Sequence, residues 1–294
     1  MKVTNLIKSP MNYTGGKYKL LKQILPLFPV SIEGRFIDLF CGGCDISINV
    51  NSNKIIANDI NSKIIEIYQQ MQKINIDNIL TYISNRIEEY GLTITNSEGY
   101  NKFRDIYNNS ERKNPLDLFI LICYSFNHQI RFNREGKFNM PFGKERSYFN
   151  GVIKKNLIEF HNKITNNDIV FTNFSFSDLK VEKLSSNDFI YCDPPYLITC
   201  ASYNEQDGWN ETCERELLVK LDKVNEKKVK FALSNVLSNK GKNNDILIEW
   251  SKKYFVNHLN HTYSNCSYHA MDRDKTTTDE VLITNYEIQE DTLF

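Results

Sequence analysis

The 294-residue chain has no uninterrupted apolar run of the roughly eighteen residues that a membrane-spanning helix requires. Its opening stretch, MKVTNLIKSPMNYTGG, lacks the apolar core of a secretory signal, so a soluble cytoplasmic protein with no membrane contact is expected. Net charge is absent as well: Lys+Arg 36 against Asp+Glu 36 leaves +0, and bulk electrostatics select neither an acidic nor a basic partner. Seven cysteines, an odd number without an export signal, read as reduced thiols rather than a disulfide framework. Cys41 and Cys44 form one CxxC with no second pair at zinc-ligand spacing, and the HxxH of His258 and His261 has no further ligands, so no metal is expected. His269 reads like those two as an ordinary side chain near the last strands, whereas His128 lies where it could touch a ligand of the central segment. GxGxxG is missing too, which argues against a dehydrogenase. TGGKYK is no phosphate-binding P-loop, because Lys17 is followed by Tyr18 instead of Ser or Thr.

What is present is a rhythm of short β-branched and aromatic runs: RFIDLF, NKIIAND, DIVFTNF, DFIYCD, VKFALSN, KYFVNHL and EVLITNY. They predict seven strands. Helical periodicity separates several of them, as in NSKIIEIYQQMQKI and ERELLVKLDKVNEKK, and this alternation predicts an α/β fold around a parallel sheet. The rhythm breaks between NIDNIL and about Asn156, where helix-like segments lead into the Gly- and Asn-punctuated NHQIRFNREGKFNMPFG. An inserted, mostly helical domain is expected at 67–156, with 1–66 and 157–294 forming the main domain. The neutral average hides a local asymmetry: residues 126–155 carry Arg131, Arg134, Lys137, Lys144, Arg146, Lys154 and Lys155 against Glu135 and Glu145 alone. Phe132, Phe138, Met140 and Phe142 alternate around REGK, which suits a β-hairpin. The residues before Leu27 form a second, smaller basic patch, and the chain is otherwise rich in Asn, Ile and Lys without repeats.

FIDLFCGG delivers Asp38 and then Gly42 and Gly43 at a strand end, where a backbone can turn tightly against a ligand. Asp59 ends the next run about twenty residues on, the distance at which α/β nucleotide sites place a carboxylate on ribose hydroxyls. In IYCDPPYLIT, Pro194 and Pro195 fix the backbone after Asp193. The Pro194 carbonyl and the Asp193 carboxylate form a pair of acceptors suited to an amino group with two hydrogens, such as the exocyclic amine of a base. Two such acceptors favour a tetrahedral nitrogen and its developing positive charge, and Tyr196 supplies a ring on which the base can stack.

On NYTGGK, FIDLFCGG, ANDI, FNHQIRFNREGKFNMPFG, YCDPPYLIT, FALSNV, KGKNN and TDEVLITNY, the sequence resembles the Dam-type, D12-class DNA adenine-N6 methyltransferases of the α group. The resemblance covers nearly the whole chain. It implies a Rossmann-like seven-stranded methyltransferase sheet and S-adenosyl-L-methionine as cofactor, held by Tyr13, Lys17, Asp38, Phe40, Gly42, Asp59 and Asp193. It implies that Asp193, Pro194, Pro195 and Tyr196 form the catalytic segment. Double-stranded DNA is the implied partner, contacted by Phe126 and Asn127 at the base stack, Arg131 at a guanine, Asn133 and Pro141 in the hairpin, and Lys144. No obligatory protein partner is implied. The hairpin points to GATC as the target. Asn12 and Glu145 stand where relatives carry other residues and leave open a longer site containing GAT, and a restriction-modification, a solitary and a phage role are all compatible with the sequence. The loop LITCASYNEQDGWNETCER is placed to close over a flipped base or to stay solvated. Two rival readings are methylation of an RNA base or a protein amide, and a DNA-binding module without methylation.

Overall fold

The structure is a computed structural model that describes residues 5–199, 208–259 and 278–288. All seven expected strands form: β1 (Phe36–Asp38), β2 (Lys54–Asn58), β3 (Asp168–Thr172), β4 (Phe189–Cys192), β5 (Lys230–Asn239), β7 (Phe255–Leu259) and β8 (Thr278–Thr284). An eighth, β6 (Lys242–Asn243), folds back on the end of β5 in KGKNN. The sheet order is β3-β2-β1-β4-β5-β8-β7. Strands β1 to β5 pair in parallel, and β8 runs antiparallel between β5 and β7. The sheet is therefore mostly parallel, and β8, reversed like the short β6, begins at the edge where β1, β2 and β4 end.

Two apolar layers cover the sheet, and the period of two along each strand sorts side chains between them. Phe36, Phe189, Tyr191 and Ala232 face one core, whereas Ile37, Ile190, Cys192, Phe231 and Leu233 face the other. On the first face lie α1 (Leu21–Ile24), α2 (Ser62–Lys73), α3 (Ile76–Glu89), α4 (Ser97–Asn109), α5 (Pro115–Tyr124) and α6 (Gly151–Asn166). On the second lie α7 (Glu211–Glu226) and α8 (Asp245–Ser251). Helix α2 runs unbroken through residues 66 and 67, and Tyr100, Phe103 and Phe119 of α4 and α5 share one continuous core with Phe36 and Tyr191. Asparagine, conspicuous in the composition, starts the helices: Asn61, Asn75, Asn96, Asn114, Asn150, Asn210 and Asn244 each accept a first-turn backbone N–H of α2 to α8. Each such cap stabilises by about 1 kcal/mol relative to alanine.

The strand order reverses its chain direction between β1 and β4, since β2 and β3 extend to one side and β5 to the other. Helices on opposite faces diverge at such a point and leave a crevice beyond the strand ends. Asp38 ends β1 and Asp193 follows β4 directly, so the sequence places both carboxylates at that crevice. No helix among the described residues is long and apolar enough to cross a membrane.

Candidate active site

Four acids gather at the strand ends. Asp38 is buried and accepts hydrogen bonds from Ser47 Oγ (2.6 Å) and the Phe40 N–H (3.4 Å). Burial pushes its carboxyl up to about 7, against the opposing pull of the Ser47 hydroxyl. Asp59 accepts from the Gly42 N–H (2.9 Å) and the Asn61 N–H (2.8 Å), and burial raises it as well. Asp193 meets the Lys17 ammonium at 2.8 Å and the Tyr196 hydroxyl at 3.0 Å. Burial raises the Asp193 carboxyl although Lys17 opposes the shift. The fourth acid is Glu280, whose Oε1 lies 3.0 Å from the Tyr196 hydroxyl and 3.7 Å from Lys17 Nζ. Lys17 also donates to the Gly15 carbonyl (2.9 Å), and its ammonium stands 5.0 Å from the centre of the Tyr196 ring. Burial, followed by the charges of Asp193 and Glu280, drives the Tyr196 hydroxyl well above its ordinary range.

The glycine turn after β1 is held from several directions. Gly42 donates to Asp59 and its carbonyl accepts from the Tyr68 hydroxyl (2.8 Å), while a Cβ on Gly42 would come 2.7 Å from Tyr13 Cδ1. YTGGK and FCGG thus form one packed unit. Phe40 leaves the strand toward the second face and meets Phe176 and Trp209, each with ring centres 5.7 Å away. The Trp209 indole N–H donates to Glu214, a buried carboxylate that also accepts from the Asn235 and Asn244 side chains. The structure therefore joins Tyr13, Lys17, Asp38, Phe40, Gly42, Asp59, Asp193 and Tyr196 around one crevice. It adds Ser47, Phe176, Trp209 and Glu280, which sequence reasoning did not single out. An acid at the start of an apolar strand, as in TDEVLITNY, was the available signal for Glu280.

The basic asymmetry falls on residues 126–155. Residues 131–139 double back: the Asn139 N–H donates to the Arg131 carbonyl, and the Asn133 side chain accepts from the Glu135 and Lys137 N–H groups at the tip. Two isolated antiparallel bridges join the arms, Phe132 with Phe138 near the tip and Ser125 with Phe142 at the base. Between them the second arm is engaged by α4, where the Asn108 side chain brackets Phe138 and the Tyr100 hydroxyl and Arg104 donate to the Met140 carbonyl. The expected hairpin is thus a sparsely bridged one, braced by helix side chains. Arg131 is exposed, and its Nε and Nη2 donate to the side chain and backbone oxygens of Asn139. Phe126 is 39% exposed beneath the Arg146 guanidinium, which stands 5.0 Å from its ring centre. Its N–H donates to the Pro141 carbonyl. Asn127 is exposed with a left-handed backbone (φ 55°), and its carbonyl accepts from the Asn12 side chain at 3.0 Å. Lys144 is exposed. The side chain of His128 is partly buried in this segment, while His258 pairs with Asp279 at 2.7 Å. His261, His269 and residues 200–207 of the loop expected to close over the site lie outside the described residues. No group of three or more candidate metal ligands occurs among the described residues.

Residues 13–275 match the model of the D12 class N6 adenine-specific DNA methyltransferases. The chain belongs to this family. Within it, the chain is 50% identical over 289 residues to the type II methyltransferase M.FokI of Planomicrobium okeanokoites, covering 97% of this chain and 44% of that protein. It is 45% identical to the modification methylase StsI of Streptococcus sanguinis, over 96% of this chain and 43% of that one. The DNA adenine methylase of Escherichia coli K12 is 30% identical over 199 residues, 66% of each chain. The chain spans less than half the length of the first two relatives. The family match runs from Tyr13 past Asp193 and ends before Glu280.

Proposed function

We propose that this chain transfers a methyl group from S-adenosyl-L-methionine to the N6 amine of an adenine flipped out of double-stranded DNA. The observation that carries the reading is Asp193 with its two prolines and Tyr196 at the reversal of strand order, in a chain of the D12 family. The residues present fit the cofactor. Tyr13 closes over a glycine turn that has no room for a Cβ, the Asp59 carboxylate stands where ribose hydroxyls can donate, and Phe40 offers an aromatic wall. Tyr13, Lys17, Asp38, Phe40, Gly42, Asp59 and Asp193 would hold it. When bound, the cofactor supplies an electrophilic methyl on a sulfonium.

The chain's own residues then act on the amine. Asp193 and the Pro194 carbonyl accept its two hydrogens and stabilise the positive charge that develops on nitrogen, and Tyr196 gives the base a face to stack on. Pro195 keeps the segment rigid. An amine already occupies this acceptor in the structure, since Lys17 Nζ stands 2.8 Å from Asp193 Oδ2. Where the adenine amine takes that same oxygen in line with the methyl donor, Lys17 yields the contact. Flipping is required because the amine is not presentable in line inside the base stack.

We read 67–156 as the target-recognition region and 1–66 with 157–294 as the catalytic part. Phe126 and Asn127 would enter the stack, Asn133 and Pro141 would shape the loop, and Lys144 would meet phosphate, giving an affinity that falls with salt. Asn139 holds Arg131 by Nε and one Nη2 hydrogen, which leaves the outer guanidinium edge for guanine O6 and N7. Arg131→Ala is expected to lower discrimination at one base pair by about 1–3 kcal/mol with little change elsewhere in the site. Methylation rates on a panel of single-substituted duplexes test this, and an unaltered preference removes Arg131 from base reading.

The adenine is proposed to lie in a site containing GAT. The hairpin's resemblance favours GATC, and the higher identity to the modification methylases favours a longer site. Base-resolved mapping of N6-methyladenine in DNA from methylation-free cells expressing the protein decides. One short methylated motif supports the reading and identifies the site. No modified adenine, from folded protein that binds the cofactor, overturns it in favour of an RNA or protein substrate.

A further inference from the structure

We propose that Glu280 is a positioning residue, which receives the Lys17 ammonium when the target amine takes Asp193 and which fixes the Tyr196 ring through its hydroxyl. The proposal rests on the methyl-transfer reading above. Its starting point is that Lys17, a residue 6% exposed, holds an oxygen of the acid proposed to accept the substrate amine. A buried ammonium that loses its carboxylate without replacement costs several kcal/mol. The cost is avoided when a second carboxylate lies within a small movement. Glu280 meets that condition: its side chain is 8% exposed, and its Oε1 stands 3.7 Å from Lys17 Nζ, about an ångström farther than Asp193.

The fold explains why a residue so distant in sequence is there. Strand β8 runs antiparallel, so its first turns of chain lie at the edge where β4 and β5 end, with Glu280 paired in register to Val236 of β5. Tyr196 links the two acids. Its hydroxyl lies 3.0 Å from Asp193 Oδ1 and 3.0 Å from Glu280 Oε1, and it has one hydrogen to give. Lys17 and Tyr196 thus share both carboxylates, and each can change partner while the ring remains held. The Gly15 carbonyl retains the ammonium throughout the shift.

The test compares wild type, Glu280→Gln, Lys17→Met and the double variant by single-turnover methylation at saturating cofactor, on the duplex site that mapping of the wild type identifies. Glu280→Gln is expected to slow transfer by about tenfold or more, with cofactor and duplex affinity within about twofold of wild type. In the Lys17→Met background, where no ammonium needs a second partner, the same substitution is expected to cost less than about threefold. Wild-type rates for Glu280→Gln overturn the proposal, as does an equal loss in both backgrounds. A Lys17→Met chain that is saturated with cofactor and still shows no measurable transfer overturns it too, because the ammonium is then required for the transfer step itself. Thermal unfolding verifies that each variant folds, and Glu280→Asp, which keeps the carboxylate, replaces Glu280→Gln if the latter does not; its expected rate is intermediate. A wild-type chain that methylates no DNA adenine instead defeats the underlying reading and leaves these comparisons without a substrate.

Discussion

Asp193→Ala is expected to lower methyl transfer by about a thousandfold or more while leaving duplex affinity near that of wild type. Removal of one preorganised group that stabilises transition-state charge costs about 10²–10³ in rate, and Asp193 is also proposed to supply half of the acceptor pair that orients the amine. Phe126, Arg131 and Lys144, the residues proposed to face DNA, belong to a different stretch of the chain and are untouched. Single-turnover methylation and fluorescence anisotropy on one labelled duplex separate the two quantities, and unchanged turnover would remove Asp193 from catalysis. Stability gives a second expectation. An acid whose carboxyl is raised binds its proton more tightly in the folded chain than in the unfolded one, so ionising it above the usual carboxylate range works against the fold. Asp193 and Asp38, the latter raised to about 7, are thus sites where the fold carries ionisable groups that its own stability at neutral pH does not favour. Such strain concentrates where chemistry requires it.

The sheet was legible because its central strands are buried on both faces and so read as apolar runs, the FI of β1 and the FIYC of β4 above all. The crevice was legible for a related reason: parallel strands end together, and β1, β2 and β4 each end in or directly before an acid. Glu280 was not, because its place depends on β8 running against its neighbours, and strand direction leaves no mark on an apolar run. Phe176 and Trp209 were hidden similarly, since they approach Phe40 from segments joined only by tertiary packing. Composition held one signal that periodicity passed over. The asparagines at positions 61, 75, 96, 114, 150, 210 and 244 mark helix starts from α2 to α8, so the excess of Asn has a structural use. The hairpin was legible as alternation, but its sparse bridging was not, because α4 supplies partners to the second arm that the first arm would otherwise have supplied.

Gly42→Ala is expected to weaken cofactor binding by about tenfold or more and to cost about 1–3 kcal/mol of stability. Two terms combine at this position. Its backbone is left-handed (φ 44°), which penalises any Cβ, and the added methyl would sit 2.7 Å from Tyr13 Cδ1 and 2.9 Å from Cε1. Gly15 separates the terms, for its φ is 81° and a Cβ there would meet nothing within 4 Å. Gly15→Ala should therefore show the backbone cost alone, about 1–2 kcal/mol. The turn has little freedom to relax, because Gly42 is bonded through its N–H to Asp59 and through its carbonyl to Tyr68. Relief has to come from Tyr13, whose neighbour Asn12 is tied to Asn127 in the proposed DNA-contacting segment. Calorimetric titration with S-adenosyl-L-methionine and thermal unfolding of both variants measure the difference. A Gly42→Ala chain that binds like Gly15→Ala would show that Tyr13 swings aside at no cost, and that the wall assigned to the cofactor pocket is not built on this turn.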